Sequence, residues 1–448
     1  MLVTQKKRLT LLISIVLVFV TISVVLAGGW IKLPHRLQSS GLWPHRSPID
    51  DKPFSNEKPG VPESHIELFS ASNKKGRYFE ISFGGEEALN PSIIPHPVSK
   101  DVWIITAQKS KHTSENSVWF AEIVCNAKFN RKGILSCIDT PTNLPVAATD
   151  GDNCEGPFAL MSLNVGPHDA RAFYGPRRPY LVYGSNSGYT CFGQWIQDFR
   201  MLMDWEGPSM GDIDFKFGTE LQRPAPFNAL EKNFFVFWDK NGDIYVHHDM
   251  APTRAFARLH SDGSVGPDLA PLALQNDNKC VAEYLPSIAP HLESIHQATN
   301  SLSITLCARS DPSCEPDDSN TFILTIIQHK TFYAFHSVYE PYPVLFHRTA
   351  PFHIFAISRK PLWYHGRAKQ GEARNPNLKG SASGHAQPWN QTEMMYTTSI
   401  AWKTHGQKYH GYIDDQVFIG FGIEDKGTGG IDVPASALLS DYGLCSVL

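Results

Sequence analysis

The sequence predicts an all-β body behind one N-terminal membrane-spanning helix, and three observations predict it. Short β-branched and aromatic runs bounded by polar residues recur along the chain, helical periodicity is scarce, and a long uncharged stretch stands near the N-terminus. Many short strands without crossover helices argue for sheets packed on sheets. A body of roughly 385 residues must then hide its sheet edges. Radial repetition in a β-propeller does this economically, and a jelly-roll pair is the alternative.

The uncharged stretch runs from Leu9 to Ala27, long enough for a helix to cross a hydrocarbon core of about 30 Å. Lys6, Lys7 and Arg8 precede it, which retains the N-terminus in the cytoplasm and sends the remainder across. A cleaved signal peptide is the alternative, since Val25-Leu26-Ala27-Gly28 supplies small residues. The expected organisation is a tail at 1–8, a signal anchor at 9–28, a stem at 29–62 rich in Pro, Ser, His and Gly, and a luminal body at 63–448. That topology belongs to a single-pass type II protein of the Golgi or another secretory membrane.

All eight cysteines lie beyond the anchor, an even number in a disulfide-permissive compartment. Cys125/Cys137 and Cys307/Cys314 are close enough in sequence to staple local hairpins, but the full pairing stays open. The sequon Asn390-Gln391-Thr392 suits glycosylation of a luminal loop. Basic and acidic residues, 40 against 44, are interspersed and give a net charge of -4, so nucleic acid is excluded as a partner.

Within the body, strands are expected at 102–106, 117–124, 234–238, 244–248, 301–308, 321–329, 353–358, 394–402 and 416–422. The segment Asp239-Lys240-Asn241-Gly242-Asp243 reads as a hairpin turn built on Asn-Gly. The best helical segment is short, 435–439 after Pro434.

One stretch draws chemical attention: Gly166-Pro167-His168-Asp169-Ala170-Arg171-Ala172-Phe173, followed by the β-prone Pro179-Tyr180-Leu181-Val182-Tyr183. An Asp and an Arg two positions apart, between Gly-Pro and a strand, look held at a strand mouth. Taken alone, an Asp beside Gly-Pro also serves as a turn cap. Further motifs follow in order with it: Asn90-Pro91-Ser92-Ile93, Glu231-Lys232-Asn233-Phe234, His336-Ser337-Val338-Tyr339-Glu340-Pro341-Tyr342, Gly411-Tyr412-Ile413-Asp414-Asp415 and Phe421-Gly422-Ile423-Glu424-Asp425.

The ordered set, spanning about residues 81–425, resembles the fungal β-1,2-mannosyltransferase family. It is more distantly similar to the five-bladed propeller β-mannoside phosphorylases and related protozoan mannosyltransferases. The resemblance implies a five-bladed propeller, a GDP-mannose donor and a mannan or glycolipid acceptor. It also implies that Asp169 handles the proton at the glycosidic oxygen. The phosphorylase-like pattern has Glu-Asp-Pro-Arg where this chain has His168-Asp169-Ala170-Arg171, which keeps the carboxylate and alters its surroundings.

The chemistry points the same way. Sugar transfer from a nucleotide donor needs a base for the acceptor hydroxyl, here Asp169, and donors or cations for the departing phosphate, here Arg171, Lys232 and Arg254. The remaining substrate-binding candidates are Asn90, His168, Glu231, His336, Glu340 and Asp415. Each has a plainer alternative. Glu231-Lys232 could be a solvated pair, His336 a satisfied core histidine, and Asp414-Asp415 or Glu424-Asp425 could hold sugar hydroxyls or merely face water; Asp415 is slightly favoured. Trp195, Tyr183 and Trp238 are candidates for stacking on sugar or guanine. Asp212-Ile213-Asp214 has an Asp-x-Asp spacing, so no metal ligand is assigned but a divalent cation, Mn or Mg, stays open as a cofactor. A β-mannoside hydrolase or phosphorylase and a non-catalytic glycan-binding propeller are the rival readings.

Overall fold

Antiparallel ladders between strands near in sequence build most of the structure, a computed structural model. It describes residues 64–445 apart from 115, 152, 206–212, 290, 334–335 and 373–390. The expected tail, anchor and stem, the sequon residue Asn390 and Asp212 therefore lie outside the described residues. Among the described residues, no helix is long and apolar enough to cross a membrane. All of them belong to one compact unit, Pro59–Leu448.

The ladders group into successive antiparallel runs. The first holds Ala88–Pro95, Trp103–Lys109, Glu122–Phe129 and Leu135–Cys137. His168–Tyr174, Pro179–Asn186, Phe192–Asp198 and Thr219–Leu221 form the next, then Phe235–Trp238, Ile244–Asp249 and Ala255–Arg258. A larger sheet contains Leu302–Thr305, Thr321–Tyr333, His336–His347 and Ile354–Ser358, with Glu293–Gln297 also paired to Thr321–Tyr333. The last run is Met395–Trp402, Gln416–Ile423 and Gly427–Pro434.

Apolar packing joins each run to the next. Ile94, Ile104, Ala172 and Leu181 fill the space between the first and second runs. Phe173, Val182, Val236, Phe237 and Phe346 join the second to the third and fourth. Ile304, Leu324, Ile400 and Ile419 bridge the fourth and last, and Ile93, Ile105 and Phe418 bring the last back to the first. Each such buried side chain contributes about 1.5–3 kcal/mol. The strand Phe79–Ser82 fastens this circuit: Phe79 and Glu80 pair antiparallel with Gly430 and Gly429, while Ile81 and Ser82 pair parallel with Leu135 and Ser136. The result is a mostly β, nearly closed arrangement with few helices.

Most expected strands are present with shifted ends, and the expected helix appears as Ala435–Leu438. The run expected at 117–124 is divided into Val118–Trp119 and Glu122–Phe129, which belong to different sheets. At the Asn241-Gly242 turn only the glycine takes a left-handed backbone, φ 88°, and Asp239 caps the turn through its side chain. The helix Leu274–Tyr284 went unanticipated because it is mostly polar and buries only Asp277 and Cys280, leaving no apolar period to read. The disulfides are Cys125–Cys137, Cys154–Cys191, Cys280–Cys445 and Cys307–Cys314, so both local staples form.

Candidate functional site

The opening strands of three runs pack on one another, Ala88–Pro95 against both His168–Tyr174 and Met395–Trp402. Each is interrupted by a register shift near its start, between Leu89 and Ser92, His168 and Arg171, and Thr397 and Ser399. Such bulges turn side chains away from the ladder. Here they turn Asn90 and Asp169 together: Asn90 Nδ2 donates to Asp169 Oδ1 at 2.6 Å. Both residues are left-handed, φ 54° and 49°, a conformation that Asn and Asp tolerate better than most.

Side chains of neighbouring strands hold these bulges. The Asp169 N–H donates to Gln108 Oε1 at 2.9 Å, and the Ala170 N–H to Glu122 Oε1 at 3.1 Å. Thr398 and Ser399 hydroxyls donate to the Pro91 carbonyl at 2.6 and 3.1 Å. Gly422 leaves room for Asn90, since a Cβ there would overlap Asn90 Oδ1. The Asp169 carboxylate itself is exposed.

One flank of Asp169 is basic. Asp169, Arg171, Lys232 and Asn233 line a pocket of about 160 Å³ with Phe192, Gln194 and Met161. Arg171 Nη2 donates to Asn233 Oδ1 at 3.0 Å and to the Tyr396 hydroxyl at 3.2 Å, and that hydroxyl donates to Asn233 Oδ1 at 3.0 Å. Lys330 stands close to Lys232 and lies over the Tyr339 ring at 5.8 Å. Neither lysine has an ion-pair partner among the described residues. Burial, then the positive charges of Lys232, Lys330 and Arg171, bring His296 down to about 3, so it is neutral.

Acidic residues also stand near Asp169, and Asp425 is close enough to act on Lys330. Glu424 and Asp425 form a turn with left-handed φ of 53° and 50°. Glu424 accepts from the Met394 N–H at 2.7 Å and approaches His336 Nε2 at 3.4 Å. Burial, then the charge of Asp169, raises the Asp425 carboxyl above its ordinary range. His168 lies beneath Asp169, tilted on Phe120 at 3.7 Å and edge-on to Phe192 at 5.2 Å. Burial lowers it to about 4 against the pull of Asp169. It supports the site as a neutral ring.

Of the sequence candidates, Asn90, His168, Asp169, Arg171 and Lys232 are thus brought together, with His336 reaching the acidic turn. Four others are held elsewhere by partners of their own. Glu231 is buried and clamped by Arg223 at 3.1 Å and by the Asn228 N–H at 2.6 Å. Arg254 is in the core, donating to Asp277 at 2.8 Å, to the Phe352 carbonyl at 2.6 Å and to His247 at 2.8 Å. Glu340 is paired with His65 at 2.9 Å and Arg367 at 3.3 Å; burial opposes its charge, but these partners hold the carboxyl below its ordinary value. Asp415, in the turn before Gln416–Ile423, is bound by Arg309 at 2.6 Å. Of the aromatic candidates, Tyr183 is buried, Trp195 is half-buried, and Trp238 is buried beside Tyr409.

The region around Asp415 carries a larger cavity, about 910 Å³, lined by Trp238, Lys240, Arg309, Arg348, Lys408 and Asp415 among others. Lys240 and Arg348 share Asp318, Arg309 pairs with Asp415, and Lys408 donates to the Arg177 carbonyl at 3.4 Å. Sequence reading passed over Gln108, Glu122, Asn233, His296, Lys330 and Tyr396, and placed Asp425 just behind Asp415. Asn233 and Asp425 lay inside noted motifs, and a glutamate inside the apolar 117–124 run was a signal for Glu122. Among the described residues, no group of three or more His, Cys, Asp or Glu could hold a metal ion, and Asp214 is paired with Arg178 at 3.1 Å.

No family model and no curated protein matches the chain. Distant likeness to solved structures is found. A β-1,2-mannobiose phosphorylase from Listeria innocua has a TM-score of 0.44 and 10% identity, covering 81% of this chain and 92% of that one. A glycosyl hydrolase from Bacteroides ovatus has a TM-score of 0.40 and 11% identity over 84% and 93%. A GDP-Man-dependent mannosyltransferase from Leishmania mexicana has a TM-score of 0.33 and 10% identity over 80% and 89%. At this distance the functional reading rests on the site.

Proposed function

We propose that the chain is an inverting glycosyltransferase that moves mannose from GDP-mannose to a mannan, glycolipid or cell-wall glycan, forming a β-mannosidic, β-1,2 linkage. The observation that carries this reading is the juxtaposition of an exposed carboxylate, Asp169, with Arg171 and two lysines that make no ion pair among the described residues. The sequence resemblance supports the choice of mannose and of GDP as its carrier. The antiparallel runs would be the five blades of a propeller, and the segment 9–28 would anchor the chain as a type II protein of a Golgi or other secretory membrane.

In the reaction, Asp169 removes the proton of the acceptor hydroxyl as that oxygen attacks the anomeric carbon. The bond from that carbon to the phosphate oxygen breaks, and GDP leaves with the electron pair. Arg171, Lys232 and Lys330 offset the charge that builds on the leaving phosphate. One in-line displacement converts an α-linked donor into a β-linked product, so a single base suffices. Asn90 orients the carboxylate, and Asp425, His336 and Tyr396 are within reach of sugar hydroxyls. The pocket is smaller than the roughly 300–1,000 Å³ usual for ligand sites, so it takes part of the substrate and the rest lies across the open face. No step needs a metal ion; a divalent cation at the diphosphate remains compatible with the chemistry.

The test is incubation of residues 62–448, secreted, with a panel of nucleotide sugars and mannan oligosaccharides, reading mass and anomeric NMR. Transfer from GDP-mannose with a β anomeric signal supports the proposal. A second reading, hydrolysis or phosphorolysis of β-mannosides, is favoured by the nearness of Asp425 to Asp169, because a hydrolase needs a second carboxylate. Cleavage with water or phosphate and no transfer would establish it instead.

A further inference from the structure

Two buried side chains behind Asp169 have no part in the chemistry just described. Gln108 and Glu122 are direct cross-strand partners, so their side chains leave the same face of the ladder. Their Oε1 atoms accept from consecutive backbone N–H groups, those of Asp169 and Ala170, which the bulge releases from its own ladder. Glu122 is fully buried, at 0% exposure. Among the described residues its Oε2 has no hydrogen-bond partner, and no Lys, Arg or His pairs with it.

We propose that Glu122 is a positioning residue for Asp169: an uncharged carboxyl that, with Gln108, clamps the left-handed bulge from the adjoining run. This rests on the reading of Asp169 as the base. A carboxylate at this position would hold a negative charge out of water on a single N–H donor, facing the charge of Asp169 with no cation to offset it. Burial first, and then Asp169, push the Glu122 carboxyl well above its ordinary range, in keeping with that geometry. The neutral group needs only its carbonyl oxygen to hold Ala170.

Glutamine supplies the same oxygen at the same reach without a charge. Glu122→Gln should therefore keep kcat within about threefold, whereas Glu122→Ala should lower kcat by about 10- to 100-fold with KM for the donor nearly unchanged, because a carboxylate displaced by a fraction of an ångström loses its alignment. Gln108→Ala, which leaves Glu122 in place, should lower kcat in the same direction.

The experiment measures kcat and KM of these variants and of Asp169→Asn as secreted luminal chains, with thermal melting to monitor the fold. Rescue by Gln together with loss in the two Ala variants supports the clamp. A Glu122→Gln variant as inactive as Asp169→Asn would overturn it, since Glu122 would then be an ionised catalytic group. Full kcat in both Gln108→Ala and Glu122→Ala would also overturn it. If Glu122→Ala fails to fold, Gln108→Ala and Glu122→Gln decide the matter. Full activity in Asp169→Asn would instead sink the reading of Asp169 itself, whatever the clamp variants do.

Discussion

Asp169, in the bulge of His168–Tyr174, and Asp415, in the turn before Gln416–Ile423, stand in two differently built regions. Around Asp415 the cavity is larger, and its cations are mostly held by carboxylates. Around Asp169 the pocket is small, two lysines make no ion pair among the described residues, and Asn90, Asp169, Asn233, Glu424 and Asp425 are all left-handed. Conformations of this kind cost energy and persist where surrounding contacts impose them. The contrast teaches that cavity volume is a poor guide here. Cations outside ion pairs among the described residues, and an imposed backbone, mark the region where chemistry is expected.

The largest test of that contrast is Asp169→Asn, which should lower transfer by about 10³-fold or more while melting temperature and secretion stay unchanged. Equal loss from Asp415→Asn would erase the distinction between the regions. Next, Lys232→Ala and Lys330→Ala should each raise KM for the nucleotide sugar by roughly 10- to 100-fold, since each removes a charge-assisted contact to phosphate. Initial rates against donor concentration would reveal this, and the loss should shrink as salt rises.

A smaller effect is expected from Gly422→Ala. The added methyl meets Asn90 Oδ1, so the variant should melt lower by a destabilisation of about 1–3 kcal/mol and lose several-fold in rate. Acidification supplies a further test. His168 is lowered from 6.5 to about 4 in the folded chain, so between these values the unfolded chain binds the additional proton. Stability present above pH 6.5 is therefore lost as pH falls towards 4, by about 3 kcal/mol for this ring. Urea unfolding at pH 7 and pH 5 should reveal the slope, and His168→Phe should flatten part of it. The smallest effect belongs to Arg309→Ala, expected to change transfer less than about twofold, because its ion pair with Asp415 is half exposed.

Much of this was legible in the sequence, for identifiable reasons. Strands announced themselves through β-branched and aromatic runs, and Asn90, Asp169, Arg171 and Lys232 fell within short motifs that the fold brings together. The choice between Asp415 and Asp425 was not legible: each follows an acidic residue in a turn flanking Gln416–Ile423, and only tertiary pairing sends Arg309 to one and Asp169's field to the other. Arg254 and Arg171 likewise look equivalent until Asp277 occupies the first. Gln108 was invisible because the apolar run that signals the strand ends at Thr106, whereas the strand continues to Lys109 and brings Gln108 against a neighbouring run.

The fastening strand Phe79–Ser82 has a consequence for biosynthesis. Its antiparallel partner, Gly427–Pro434, lies about 350 residues further along the chain. At about 5–20 residues per second, a ribosome needs roughly 20–70 s to deliver it. Throughout that interval one edge of the strand waits unpaired, a surface that invites chaperone binding or association between nascent chains. Completion of the ring therefore waits for Gly427–Pro434, and a release of synthesis before residue 427 would leave Phe79 and Glu80 without their antiparallel partners.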